Sequence, residues 1–209
     1  MHVETCYDAP TTRGRWICYR SEILVHDIFQ LMLTIDNIAI QVPAEYAPRL
    51  KAIEYFDYAP VAKKVNLELG GVTERYLNEG IENLKRYYIV GLLDGKNPHS
   101  VSKPLDVFWH CHVLFSHEYF DFCERVYGIY VHHVPLDRDD PVQVAAVQKI
   151  YDYTLAVHNK VFKHVDSAWW PKGSGDALIC YQPNHGKVGS ATFPLGLFPR
   201  NEEIIPKVL

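Results

Sequence analysis

The sequence predicts a mainly α-helical, single-domain bundle with an irregular C-terminal tail that has room for a hairpin. Apolar residues recur at the three- and four-residue spacing of a helix in several stretches between residues 21 and 163. A chain of 209 residues can form one substantial core and is short for two, so we expect one domain over residues 1–209. Residues 171–209 contain too many glycines and prolines for a regular helix. We expect them to form a loop-rich extension of a helical core at residues 72–170.

The first elements are predicted to be short. Residues 15–19 predict a short strand, and residues 21–34 predict a helix from the period of their apolar positions. Asp36 and Asn37 indicate a turn. After them, alternating isoleucine and valine predict a strand at residues 38–42.

Three helices are predicted next. Proline fits the first turn of a helix and not its middle, so the first of them begins at Pro48. Residues 60–68 predict a second, short helix, and the Gly70-Gly71 pair terminates it. Residues 72–93 predict the clearest amphipathic helix, because their large apolar side chains recur every three or four positions opposite charged ones.

A polar loop at residues 94–103, whose His99 is expected to be solvated, leads into the most unusual stretch of the chain. Residues 104–135 contain five of the eleven histidines. Pro104 suits a first helical position, and Gly128 suits the left-handed residue that ends a helix. One continuous helix is therefore predicted between them, followed by a short segment that folds back beside it.

The last predicted helix begins with Asp140 as its N-cap and Pro141 as its first residue, and it runs to about residue 163. His158 falls in its apolar stripe and is expected in the core or at its boundary. Within the tail, residues 181–185 are candidates for lining a pocket.

The histidine-rich helix carries a candidate metal site. At about 100° per residue, Asp106 and His110 lie one turn apart on the same face, where a carboxylate and an imidazole can reach one cation. A third ligand must come from another segment, and His132 or His133 is the nearest candidate in sequence. Two histidines and one carboxylate would leave coordination positions open for water or substrate.

His112 and His117 are weaker ligand candidates. His112 lies on the opposite side of the predicted helix from His110, and His117 lies about 10 Å further along the helix axis. A purely structural interpretation stays open as well. In it, Asp106 and His110 form a hydrogen-bonded pair within the helix, and the neighbouring aromatic residues form core.

Composition limits the classes of function. The net charge of −4 and the scattered lysines and arginines argue against a nucleic-acid partner. Neither a membrane span nor secretion is expected, since no long apolar run and no signal-like N-terminus occur. Five cysteines without a C-x-x-C pair are typical of a reducing cytoplasm. Cys111 and Cys123 lie in the histidine-rich helix, where a thiolate ligand or nucleophile is an alternative to a buried thiol.

A longer pattern resembles a known family. It consists of Leu105-Asp106-x-x-Trp109-His110-x-His112-x-Leu114, followed by Tyr119, Cys123, Gly128 and His132-His133-x-Pro135. This pattern resembles the glycine-rich domain-containing protein-like family, formerly a domain of unknown function, over roughly residues 72–170. The resemblance implies no particular activity, but it supports treating Asp106, His110, His112 and His133 as one set.

The predicted function is metal-dependent catalysis on a small organic molecule, for example in a biosynthetic pathway. Iron or copper would perform redox chemistry with dioxygen, with Tyr119 or Tyr130 positioning the substrate; we favour this function because the aromatic surroundings suit a hydrophobic molecule. Zinc would instead polarise a water for hydrolysis, with Glu118 as general base. The remaining class is a non-catalytic module whose histidines brace the fold or bind a partner.

Overall fold

The computed structural model describes residues 34–133, 136–173, 196–201 and 203. Short 3-10 helices at Thr34–Asn37 and Ala44–Tyr46 precede six α-helices in this part of the chain. These are α1 (Ala47–Glu54), α2 (Ala59–Glu68), α3 (Glu74–Leu93), α4 (Lys103–Leu114), α5 (Ser116–Tyr127) and α6 (Pro141–Val161). The prediction of a mainly α-helical fold is therefore confirmed.

Several predictions fall on other parts of the chain. The strand at residues 15–19, the helix at residues 21–34 except for Thr34, and the tail hairpin and pocket segment lie outside the described residues. For the same reason the prediction of one domain over residues 1–209 stays a prediction.

Helix α3 is the central element, and α1, α2, α4 and α6 all pack against it. It begins where the side chain of Thr73 accepts a hydrogen bond from the backbone N–H of Tyr76, which satisfies one of the free donors of the first turn. Its C-terminal half, from Tyr87 to Leu93, is buried. The predicted helix at residues 72–93 is confirmed, and it forms the support on which α4 lies.

The histidine-rich stretch forms two helices, so the prediction of one continuous helix is wrong. Phe115 separates α4 from α5 with φ −82° and ψ 64°, which lies outside the helical region, and its N–H bonds to the carbonyl of His112. Neither glycine nor proline stands at this point. The break instead allows Tyr119 and Phe122 of α5 to pack on the ring of His112. As predicted, α5 ends at Gly128, in the left-handed region with φ 75°.

The strand predicted at residues 38–42 does not form. Among the described residues, the β-type pairing there is one isolated antiparallel bridge between Ile38 and Phe162. The N–H of Ala39 bonds to the carbonyl of Val161 at 2.7 Å, so this segment closes the end of α6. Alternating apolar residues predict a strand only where a second strand is available, and here their neighbour is a helix end.

Most residues of the predicted loop at 94–103 are buried, which contradicts the expectation that His99 is solvated. Asp94, Asn97 and His99 are each 0% exposed. Nε2 of His99 lies 3.2 Å from Oδ2 of Asp94, and the hydroxyl of Tyr153 donates to the same carboxylate oxygen at 2.7 Å. The polar side chains of this loop therefore satisfy one another inside the protein.

Helix α6 begins as predicted, with the side chain of Asp140 accepting hydrogen bonds from the N–H groups of Val142 and Gln143. His158 is buried and stacks on Trp170 with ring centroids 4.0 Å apart, which confirms its predicted place in the core. None of the helices in the described ranges is both long enough and apolar enough to cross a membrane.

Candidate metal centre

Two residues of the candidate site lie on α4, as the helical spacing predicts. Ser102 is the N-cap residue and Pro104 stands in the first turn, so the helix begins close to Asp106. Nδ1 of His110 lies 3.5 Å from Oδ2 of Asp106, one turn earlier. The His110 side chain is 52% exposed and the Asp106 side chain 15%, so this pair stands where the protein surface meets the interior.

The third residue comes from the segment that follows α5, residues 129–133, which we call the return segment. Nε2 of His133 lies 3.6 Å from Oδ1 of Asp106. The rings of His110 and His133 stand edge to face, with centroids 4.1 Å apart. On its other side His133 contacts the ring of Trp109, with centroids 5.1 Å apart. The return segment therefore brings an imidazole to the Asp106 carboxylate from outside α4.

Asp106, His110 and His133 form a group that could hold a metal ion. One ligand atom from each lies within 4.8 Å of the other two. The separations of 3.5 and 3.6 Å are long for hydrogen bonds. They involve different oxygens of Asp106, Oδ2 for His110 and Oδ1 for His133, and each is close to the ~3.4 Å that separates two ligand atoms placed tetrahedrally about 2.1 Å from one ion.

Two atoms of this group lack hydrogen bonds. Oδ1 of Asp106 and Nε2 of His133 are buried, and neither has a hydrogen-bond partner in the described part of the chain. A buried polar atom without a partner costs roughly 1–3 kcal/mol, and more when it is charged. A bound cation would remove this cost for both atoms at once.

His112 lies in the core, away from this group. It is 0% exposed, and its Nδ1 pairs with the Tyr88 hydroxyl at 2.7 Å. Aromatic rings surround it, from Phe56, Tyr58, Tyr88, Tyr119 and Phe122. Burial lowers the pKa of His112 to about 3, which keeps the ring neutral. The structure thus places it on the side of α4 opposite to the site, as its spacing from His110 predicts.

His117 and His132 are not members of the group either. The side chain of His117 is 86% exposed, and its Nδ1 lies 3.7 Å from Asp121 on the same helix. Helix α4 ends at Leu114, before His117, so the spacing argument for His117 no longer applies. His132 is exposed and its ring packs against Tyr130 at 4.7 Å. Of the two adjacent histidines, it is His133 that faces Asp106.

The two residues predicted to act on the substrate have different surroundings. Glu118 is exposed in the first turn of α5. Tyr119 is 0% exposed, and its hydroxyl accepts a hydrogen bond from Nε1 of Trp109 while donating one to the carbonyl of Val131. Burial raises the pKa of Tyr119 well above its usual value. The Tyr119 hydroxyl therefore contacts protein groups that support the site, a role its sequence position did not indicate.

The two described cysteines are buried thiols. Burial raises the pKa of Cys111 to about 11 and that of Cys123 to about 12. Both therefore stay protonated near neutral pH, which disfavours the thiolate nucleophile considered from the sequence.

Comparison with models of known protein families gives a match. The family described as UCP032817-like matches residues 48–154, which include all three members of the candidate metal centre. Its description states no activity. This match overturns the resemblance to the glycine-rich domain-containing protein-like family, which nothing in the comparisons indicates. No curated protein and no solved structure matches the chain.

Proposed function

We propose that this chain, which belongs to the UCP032817-like family, is a metal-dependent oxidoreductase that holds one iron or copper ion between Asp106, His110 and His133. The substrate in this proposal is a small organic molecule, and dioxygen accepts its electrons. Neither a nucleic acid nor a membrane takes part.

One observation carries the proposal: Oδ1 of Asp106 and Nε2 of His133 are buried, face each other across 3.6 Å and have no hydrogen-bond partner among the described residues. In a stable protein core, nearly all buried polar atoms have a hydrogen-bond partner. A pair of good ligand atoms without one is better explained by an ion.

The ligand set favours a redox metal with open coordination positions. Two imidazoles and one carboxylate are the ligands of non-haem iron centres that keep positions free for dioxygen and substrate. Because the His110 side chain is 52% exposed, these positions would face the solvent side of the site, where a substrate can enter. Trp109 covers His133 from the protein side, which excludes water from that ligand.

The proposal also places the protein in the cytoplasm. Cys111 and Cys123 are both free thiols, which is usual in a reducing compartment. An iron(II) or copper(I) state is also easier to maintain there.

Metal analysis tests this function. The protein is purified without oxygen and its metals are counted by mass spectrometry, together with the variants His110→Ala and His133→Ala. We expect about one equivalent of iron or copper in the wild-type protein and a loss of most of it in both variants, because two remaining ligands hold a divalent ion weakly.

Two matched controls use histidines that the structure places elsewhere. His117→Ala and His132→Ala remove an imidazole close in sequence, and both should keep the metal. If the bound metal is zinc, the proposed reaction becomes hydrolysis and not oxidation. Wild-type protein without metal would overturn the metal site altogether and leave the non-catalytic module.

A further inference from the structure

The third ligand of the centre depends on a segment without regular secondary structure. Asp106 and His110 are held by the backbone hydrogen bonds of α4, whereas residues 129–133 have no helical or strand pairing. Metal affinity falls quickly when a ligand is free to move, because binding must then order it. Some other contact must therefore fix the return segment relative to α4.

The hydroxyl of Tyr119 provides this contact. It accepts a hydrogen bond from Nε1 of Trp109 at 3.0 Å and donates one to the carbonyl of Val131 at 2.9 Å. Trp109 directly precedes His110 on α4, and Val131 lies two residues before His133. One oxygen atom thus joins the helix that carries two ligands to the segment that carries the third.

These groups are removed from water. Tyr119 and Trp109 are 0% exposed and Val131 is 5% exposed. Water could not easily replace the hydroxyl after its removal, so the indole N–H and the Val131 carbonyl would both lose their partner. The backbone of Val131 also bonds to Cys123, which holds the segment to α5 but not to α4.

We propose that Tyr119 is the positioning residue of the metal centre: its hydroxyl holds the return segment against α4 and so sets the affinity for the ion. This inference rests on the proposed function, because it concerns the same three ligands. This positioning role replaces the substrate contact that the sequence predicted for Tyr119, because its hydroxyl already has a hydrogen-bond donor and an acceptor within the protein.

The test compares Tyr119→Phe with Tyr127→Phe. Tyr127 is also buried on α5, and its hydroxyl donates to the carbonyl of Tyr88 at 3.1 Å, so its removal costs a buried hydrogen bond to α3 and not the bond to Val131. Cobalt(II) serves as the probe, because its visible spectrum reports ligand number and geometry, and its affinity is measured by competition with a chelator.

We expect Tyr119→Phe to weaken cobalt binding about 10- to 100-fold and to change the cobalt spectrum, as is usual when a group supporting a metal ligand is lost. Tyr127→Phe should also lower thermal stability but leave the cobalt affinity and the spectrum unchanged. Equal affinity of Tyr119→Phe and wild type, or equal loss in both variants, would overturn the inference while the metal site stands.

A second variant covers the case in which Tyr119→Phe fails to fold. Trp109→Phe keeps a ring against His133 but removes the N–H that orients the Tyr119 hydroxyl, so it should also weaken cobalt binding. Unchanged affinity in this variant would count against the inference. Wild-type protein that binds no cobalt would overturn the inference together with the proposed function.

Discussion

Three histidines that lie close together in sequence have very different surroundings in the fold. The side chain of His110 is 52% exposed at the candidate metal centre, and that of His117 is 86% exposed. His112 is 0% exposed and pairs with Tyr88 inside a group of aromatic rings. Because burial disfavours the charged form of an imidazole, the position of His112 predicts an effect of pH on the protein.

His112 should make the protein sensitive to acid. Burial lowers its pKa from 6.5 to about 3, and that of His158 to about 4. Below pH 6.5 the unfolded chain therefore binds protons that the folded chain excludes, so stability present above that pH is lost as pH falls towards these values. We expect the free energy of unfolding to drop by up to about 1.4 kcal/mol per pH unit for each histidine as the pH falls below 6.5, with the steepest loss between about pH 5.5 and 4.5.

Denaturant titrations across this pH range check the prediction. His112→Asn keeps an acceptor near the Tyr88 hydroxyl and removes the titrating ring. The slope of the unfolding free energy against pH should therefore fall by about 1.4 kcal/mol per pH unit, the contribution of one proton. A His112→Asn protein with the wild-type slope would show that His112 does not contribute.

The sequence predicted the proximity of Asp106 and His110 on α4 better than the surroundings of other single residues. Asp106 and His110 come together because helical spacing alone sets their separation. The choice between His132 and His133 depends on how the return segment packs, which no local pattern encodes. The role of Tyr119 depends on partners 10 and 12 positions away, on two different elements.

At the scale of elements, the crossing of α3 and α4 depends on Gly80. A Cβ atom built on Gly80 would lie 2.0 Å from Cζ of Phe108, and Phe108 is itself 0% exposed between Tyr76 and Trp169. The glycine therefore lets the two helices approach closely, with the Phe108 ring directly over the α3 backbone. Neither the amphipathic period of α3 nor its propensity indicates this role.

Gly80→Ala should destabilise the protein by about 1–3 kcal/mol, since the clash with a confined ring outweighs the gain of about 1 kcal/mol that alanine brings to a helix. Gly91→Ala, in the same helix, is the control. Its Cβ would lie 3.6 Å from the Tyr127 hydroxyl, an ordinary contact, so this variant should gain up to about 1 kcal/mol. Thermal or denaturant unfolding measures both, and a stabilised Gly80→Ala protein would contradict the close approach.

The helix break at Phe115 shows where prediction from sequence ends at this scale. Prolines and glycines gave helix starts and stops that the structure confirms, such as Pro141 and Gly128. Phe115 carries no such signal. The break is stabilised by buried rings of α5 on His112, that is, by tertiary packing, which overrides local preference for helix.

At the scale of the whole molecule, the loop between α3 and α4 joins distant parts of the chain. Nδ2 of Asn97 donates to the Asp94 carboxylate at 2.7 Å and to the carbonyl of Pro199 at 3.0 Å, and its Oδ1 accepts from the N–H of Asn201 at 2.7 Å. The polar side chain of Asn97 forms its hydrogen bonds with these protein groups and not with water. The expectation of a solvated loop was wrong since the partner residues lie up to 104 positions away.

Asn97 should therefore hold residues 196–201 on the helical core. Asn97→Ala leaves the buried Asp94 carboxylate without one donor and Asn201 without its acceptor, so we expect a loss of about 2–4 kcal/mol in stability. Hydrogen exchange at the Leu197 amide, which bonds to the Leu93 carbonyl, should accelerate more than exchange at the buried α3 amide of Ile89, because the segment detaches before the core unfolds. Asn66→Ala removes a side-chain bond to the Val72 N–H at the end of α2, and it should leave the Leu197 amide protected. If both amides of Asn97→Ala exchanged with the same free energy, the segment would instead be part of the cooperative core.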